Sequence, residues 1–166
     1  MKKFLIAVLA GLTAYSVPAV AQDLNASEMA EMHAQRLAAD QAYAKSLTFR
    51  EISAMETYSP YEGLDAIDPS RDPWREITNA SSTSVDFDRD GKVDQVGLYR
   101  NSQQYAAIVR FADSERRPLL IYKAAGTGEN VDLVSSDKAV LVSQSDMPGP
   151  ILYMKGDKAV GIDRGL

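Results

Sequence analysis

The sequence predicts an α+β domain in which an N-terminal helix packs on an antiparallel, blade-like β-meander carrying one strand–loop–strand hairpin. Three observations lead there. The stretch from about residue 25 to 56 is rich in Ala, Met, Glu and Gln, residues that favour or tolerate the helix. From Trp74 onward the pattern changes to short apolar runs separated by turn residues, which marks an antiparallel sheet. Between them, Pro60, Gly63, Pro69 and Pro73 punctuate the chain and break any regular element. The expected organisation is a signal peptide over 1–21, a helical segment over 22–57, a loop or tether over 58–73 and a β domain over 74–166.

The N-terminus reads as an export signal. Lys2 and Lys3 supply the positive region, Phe4 to Leu12 the apolar region, and Ala19-Val20-Ala21 a small-x-small cleavage site, so cleavage is expected after Ala21. The apolar run is too short for a membrane span, and without cysteine there is no lipoprotein attachment. The expected location is the periplasm or the outside of the cell. Missing cysteine also removes disulfides, thiolate metal sites and thiol nucleophiles. The formal net charge of −5 becomes more negative once Lys2 and Lys3 are lost. That argues against nucleic acid and anionic lipid as partners.

The helical segment opens on Asn25-Ala26-Ser27-Glu28, which has the form of a capping box. Met29, Met32, Leu37, Tyr43, Ala44 and Leu47 form the expected packing stripe, with a break near Thr48-Phe49 and a further turn through Ile52 and Met55. Strands are expected over Thr83–Phe87, Gln95–Asn101, Tyr105–Phe111, Pro118–Ala124, Val131–Ser135, Ala139–Ser143, Ile151–Met154 and Ala159–Ile162. Ala106-Ala107-Ile108-Val109 and Leu119-Leu120-Ile121-Tyr122 are apolar at every position, as central strands are.

The chemistry of the chain concentrates in Asp86-Phe87-Asp88-Arg89-Asp90-Gly91-Lys92-Val93-Asp94. Carboxylates at alternating positions followed by glycine are what Ca²⁺ takes from one short loop. Counting from Asp86, the ligand positions are Asp86, Asp88, Asp90, the carbonyl of Lys92, and Asp94. Gly91 supplies the sharp left-handed turn. A helix–loop–helix site also requires a bidentate Glu at position 12, and Gly97 stands there. The flanks read as strands, so the ion is expected to staple a β-hairpin. Monodentate ligands and the missing glutamate predict weak binding, with Kd about 10⁻⁵ to 10⁻³ M. An acidic, metal-free turn is the alternative.

The run from Val85 to Tyr99 resembles the FG-GAP calcium loop, the integrin-type or VCBS-like family. That family reads hydrophobic-D-x-[DN]-x-D-G-x-x-D followed at once by an apolar strand. The resemblance implies ligation by Asp86, Asp88, Asp90 and Asp94 and by the Lys92 carbonyl. It departs from the family in length, since the chain is too short for several four-stranded blades, and the FG-GAP dipeptides are absent. What remains is similar to small exported single-domain bacterial proteins with one such loop.

No other grouping points to an activity, so the expectation is a non-enzymatic calcium-binding structural or binding domain of the cell envelope. An envelope protein or glycan remains open as partner. His33 is the sole histidine and reads as a partly exposed helix residue. Trp74 and Tyr58, Tyr61, Tyr99, Tyr105, Tyr122 and Tyr153 read as packing residues, with a sugar or peptide groove as the alternative, and Arg116-Arg117 reads as a turn face. Two alternatives stand beside this reading. One is a carboxylate-dependent hydrolase of envelope polymers, drawing on Glu51, Glu56, Glu62, Asp65, Asp68 and Asp72. The other is a periplasmic interaction or inhibitor module acting through the helix.

Overall fold

The computed structural model describes residues 26–55, 73–145 and 148–164. The signal peptide, the Asn25 cap and the tether from residue 58 to 72 lie outside them. The order of elements is α1(Ala26–Ser46), α2(Phe49–Ala54), then β1(Arg75–Glu76), β2(Ser82–Val85), β3(Asp94–Arg100), β4(Gln104–Arg110), β5(Leu119–Ala125), β6(Val131–Ser136), β7(Ala139–Gln144), β8(Pro148–Lys155) and β9(Lys158–Ile162). All eight expected strands form. The two-residue β1 has no sequence signal of its own, because only pairing with Tyr99 and Arg100 makes it a strand.

The strands make two antiparallel sheets. In the first, β1 and β2 pair with successive parts of the same edge of β3, followed by β4 and β5. The second is the meander β6-β7-β8-β9. Val96, Leu98, Val109 and Ile121 of the first sheet pack with Leu133, Val140, Val142 and Leu152 of the second to form the main core. The helices cover the outer face of the second sheet, where Ile52 and Ala44 meet Leu141, Ile151 and Tyr153. A smaller cluster of Tyr99, Ala106, Ile108 and Leu120 lies on the other face of the first sheet, with Trp74 against it.

Strand burial follows from these layers. Every residue of β7 is buried, because its two faces meet the helices and the opposing sheet. The first apolar run, in β4, occupies a central strand as expected. The second, in β5, is an edge strand of its sheet. Its apolarity reflects covered faces rather than two strand neighbours, since Ile121 enters the main core and Leu120 the outer cluster.

The helix breaks where expected. The Thr48 hydroxyl accepts from the Glu51 N–H at 3.3 Å, and the Glu51 carboxylate accepts from the Thr48 N–H at 2.8 Å. This capping box starts a new helix rather than continuing the old one. The packing stripe of α1 differs from expectation. Met29, Met32 and Tyr43 are exposed, and the buried residues of α1 are Asp40 and Ala44. Polar contacts hold the helix: His33 Nε2 lies 2.8 Å from Asp132, Asp40 receives Arg164 at 2.6 and 3.3 Å, and the Ser136 hydroxyl donates to the Ala44 carbonyl at 2.8 Å. Sequence periodicity marks apolar side chains, and here the sheet presents polar partners to the helix. Among the described residues, no helix is long and apolar enough to cross a membrane.

Candidate metal centre

The acidic loop joins β2 to β3, with Val85 and Asp94 as the last cross-strand pair. Alternation carries the strand pattern into the loop. Val85 and Phe87 turn into the main core, with Phe87 fully buried, and Asp86 and Asp88 fall on the other side. The chain then reverses through Arg89 at φ 64° and Gly91 at φ 88°. A Cβ on Gly91 would meet nothing within 4 Å, so glycine is favoured there by the dihedral and not by space.

Asp86, Asp88 and Asp94 each bring a carboxylate oxygen to within 4.8 Å of the others. Asp94 is the best-fixed of the three. At 1% exposure, its Oδ2 accepts from the Phe87 N–H at 2.9 Å and the Asp88 N–H at 3.4 Å. Its Oδ1 accepts from the Ala112 N–H at 2.8 Å. One carboxylate thus ties the hairpin to the chain just after β4. Asp86 Oδ1 accepts from Gly91 N–H at 3.3 Å, and Asp88 Oδ1 from Asp90 N–H at 3.1 Å. Asp90 stands apart from the cluster: it accepts from its own Lys92 N–H at 2.8 Å. The exposed Lys92 ammonium lies 3.7 Å from Asp90.

Two carboxylates at this separation repel by about 3 kcal/mol at an effective dielectric constant near 20. The fold answers with cations from remote elements. Lys138, in the β6–β7 turn, reaches Asp86 at 3.2 Å. Arg116, in the β5-proximal loop, pairs with Asp88 and lies 3.8 Å over the Phe111 ring. Neither is recognisable in the loop motif, and Arg116 is an ion-pair partner rather than a plain turn-face residue. The signal for them is only in the topology, which brings the β6–β7 turn and the loop after β4 to the same end of the sheets.

The donors that converge are hard carboxylate oxygens without imidazole or thiolate, a set that suits Ca²⁺, Mg²⁺ or Mn²⁺ over zinc. Lys138 and Arg116 already pair with the carboxylates of Asp86 and Asp88, so a cation held by those residues would compete with them. Among the hydrolase candidates, Glu51 is exposed and committed to the α2 cap, and Glu56, Glu62, Asp65, Asp68 and Asp72 lie outside the described residues. Comparisons with protein-family models, curated proteins and solved structures return no match.

Proposed function

We propose that this is an exported structural or binding domain of the bacterial envelope whose β2–β3 hairpin is stabilised by a bound Ca²⁺ ion. The observation that carries the reading is the convergence of Asp86, Asp88 and Asp94 in a strand–loop–strand setting. The resemblance of Val85–Tyr99 to the FG-GAP loop supports the choice of calcium. Asp86, Asp88 and Asp94 would hold the ion. Asp90 joins them on giving up its bond from the Lys92 N–H, and the Lys92 carbonyl is the backbone ligand that the motif supplies. The chemistry the ion provides is charge neutralisation. Competition with Lys138 and Arg116 keeps affinity low, which suits a structural ion in a compartment where calcium is plentiful.

Thermal unfolding with EDTA and with graded Ca²⁺ tests this. An ion that binds only the native state raises the midpoint as its concentration rises. Asp86→Ala and Asp88→Ala should abolish that rise. An unchanged response in both variants would place the ion elsewhere, and no response in the wild-type chain would remove calcium from the proposal.

A further inference from the structure

The end of the sheets away from the acidic loop contains a cavity of about 460 Å³. Opposite ends are fixed by the registers. Val85–Asp94 and Ser136–Ala139 pair at the loop end, Gln104–Ala125 and Val131–Gln144 at the cavity end. The volume falls within the range of about 300–1,000 Å³ usual for small-molecule sites. The connection from β5 to β6, residues 126–130, crosses from one sheet to the other beside it.

Its floor is polar and built from both sheets. Gln144 of β7 donates through Nε2 to the Tyr105 hydroxyl at 2.9 Å and the Tyr122 hydroxyl at 2.8 Å. Gln144, Tyr105 and Tyr122 are 8%, 6% and 7% exposed. An amide and two phenols at the end of an apolar core cost desolvation that Leu and Phe would not. Mutual bonding fixes their orientation. Both amide protons of Gln144 are thereby committed, and its carbonyl oxygen is the amide's remaining polar atom.

The rim is also preformed. Gly126, Gly128 and Asn130 hold φ of 108°, 77° and 58°, and the Gly126 N–H donates to the Gln103 carbonyl at 3.1 Å. A Cβ on Gly128 would lie 2.9 Å from Tyr105 Cβ, so only glycine lets the backbone press onto this ring.

The lining decides the ligand class. Among the described residues it contains no lysine or arginine, and its one charge is Glu129 on the exposed rim. An anion would meet repulsion and no countercharge. The other polar groups are uncharged, Thr127, Asn130, Gln144 and Ser145, interspersed with the tyrosines and with Ala124 and Val131. Neutral hydrogen-bonding groups alternating with aromatic and aliphatic surface match a molecule whose hydroxyls alternate with C–H faces. We infer that this cavity is a saccharide-binding site, sized for one or two pyranose rings and independent of the metal centre.

The test is NMR titration of the full chain, in EDTA and again in Ca²⁺, with glucose, N-acetylglucosamine, maltose, cellobiose and N,N′-diacetylchitobiose. The readout is the backbone amides of Gly126, Thr127 and Gly128. At least one sugar should shift all three saturably at millimolar concentration, in both buffers. Tighter binding of a disaccharide than of its monosaccharide would mark a glycan chain as the source, the reverse a free sugar. Ala125→Phe blocks the mouth from an exposed position and should weaken binding at least tenfold in a protein that still folds. Gln144→Leu should do the same from the floor. The inference is overturned if no sugar shifts these amides, if Ala125→Phe binds as the wild type does, or if spermidine or inorganic phosphate alone gives the saturable shift.

Discussion

Asp94→Ala tests the one carboxylate of the cluster that, beside its proposed part in holding an ion, also pins the fold. Asp94 is buried and accepts from Phe87, Asp88 and Ala112. The 3.4 Å contact contributes little. The two short ones are hydrogen bonds to an ionised acceptor, each contributing about 1.5–3 kcal/mol. Their loss leaves the buried Phe87 N–H and the half-buried Ala112 N–H unpaired. The hydrogen-bond loss alone is about 3–6 kcal/mol, a large share of a domain stability of about 5–15 kcal/mol. The comparison variant is Asp86→Ala. Its partners, Lys138 and the Gly91 N–H, are solvent-accessible, and exposed ion pairs contribute about 0–1 kcal/mol. Either substitution also relieves repulsion from the other two aspartates of the cluster, a term common to both variants, so the hydrogen bonds decide their difference. Urea unfolding by far-UV circular dichroism, with EDTA present throughout, measures both. Asp94→Ala should lower the midpoint far more than Asp86→Ala, with m unchanged. Equal effects would refute the assignment of Asp94 as the pin between hairpin and β4. With Ca²⁺ added, the ranking by lost calcium response includes Asp86→Ala, whose effect in EDTA is small.

Three further outcomes follow from other parts of the structure. Lys138→Met removes the cation that competes at Asp86, so Ca²⁺ affinity measured by calorimetry should rise by about two- to fivefold, the equivalent of an exposed ion pair; a fall would mean that Lys138 helps to organise the site. Burial opposes the charge of Asp40, but Arg164, the nearby Ser143 hydroxyl (short of full hydrogen-bond geometry) and the charges of Arg164 and Arg36 outweigh it and lower its pKa below the usual 3.8. A lowered native pKa gives stability that is complete above the unfolded value and lost as pH falls through the native one, so Asp40→Asn should flatten the acid limb of a stability–pH curve below about pH 4, and an unaltered limb would count against the pair. Ile52→Ala should cost about 2–5 kcal/mol while Met29→Ala and Met32→Ala stay within about 0.5 kcal/mol, as read by thermal unfolding; similar costs at all three positions would restore the methionines to the core.

Strands were legible where a run of apolar residues ends in a turn residue, because that pattern survives whatever packs above it. The central position assigned to Leu119–Tyr122 was not legible, since burial on two faces looks the same at a covered edge as in the middle of a sheet. The helix existed in the sequence, but its buried face did not. Met29 and Met32 satisfy helical spacing, yet His33 and Asp40 are the side chains that find partners, Asp132 and Arg164, far along the chain. The convergence of Asp86, Asp88 and Asp94 was readable because a short loop confines its own carboxylates. Asp90 alternates with them in sequence but turns to the adjacent Lys92 N–H, a choice made by local dihedrals. Lys138 and Arg116 reach the loop only through sheet pairing, which no local pattern encodes.

The contacts of the loop reach each layer of the described structure. Asp94 ties it to the chain after β4, and Lys138 ties Asp86 to the second sheet. Beside Lys138, Asp137 accepts from the Phe49 N–H at 3.0 Å, fastening that turn to α2. Phe49 in turn packs edge-on to Tyr153 of β8 and lies under the Arg89 guanidinium at 4.8 Å. The circuit closes through Arg89, which takes a left-handed conformation that costs a non-glycine residue about 1–2 kcal/mol. A cation–π contact at a partly exposed site returns about 0.5–1 kcal/mol, so Arg89 alone does not balance its own strain. Two turn bonds, accepted by Asp86 and Asp88 from Gly91 and Asp90, span Arg89 and hold the turn around it. A cation held by those same carboxylates would therefore act on the helix layer through the geometry of Arg89, and through Lys138 on the second sheet, without touching either.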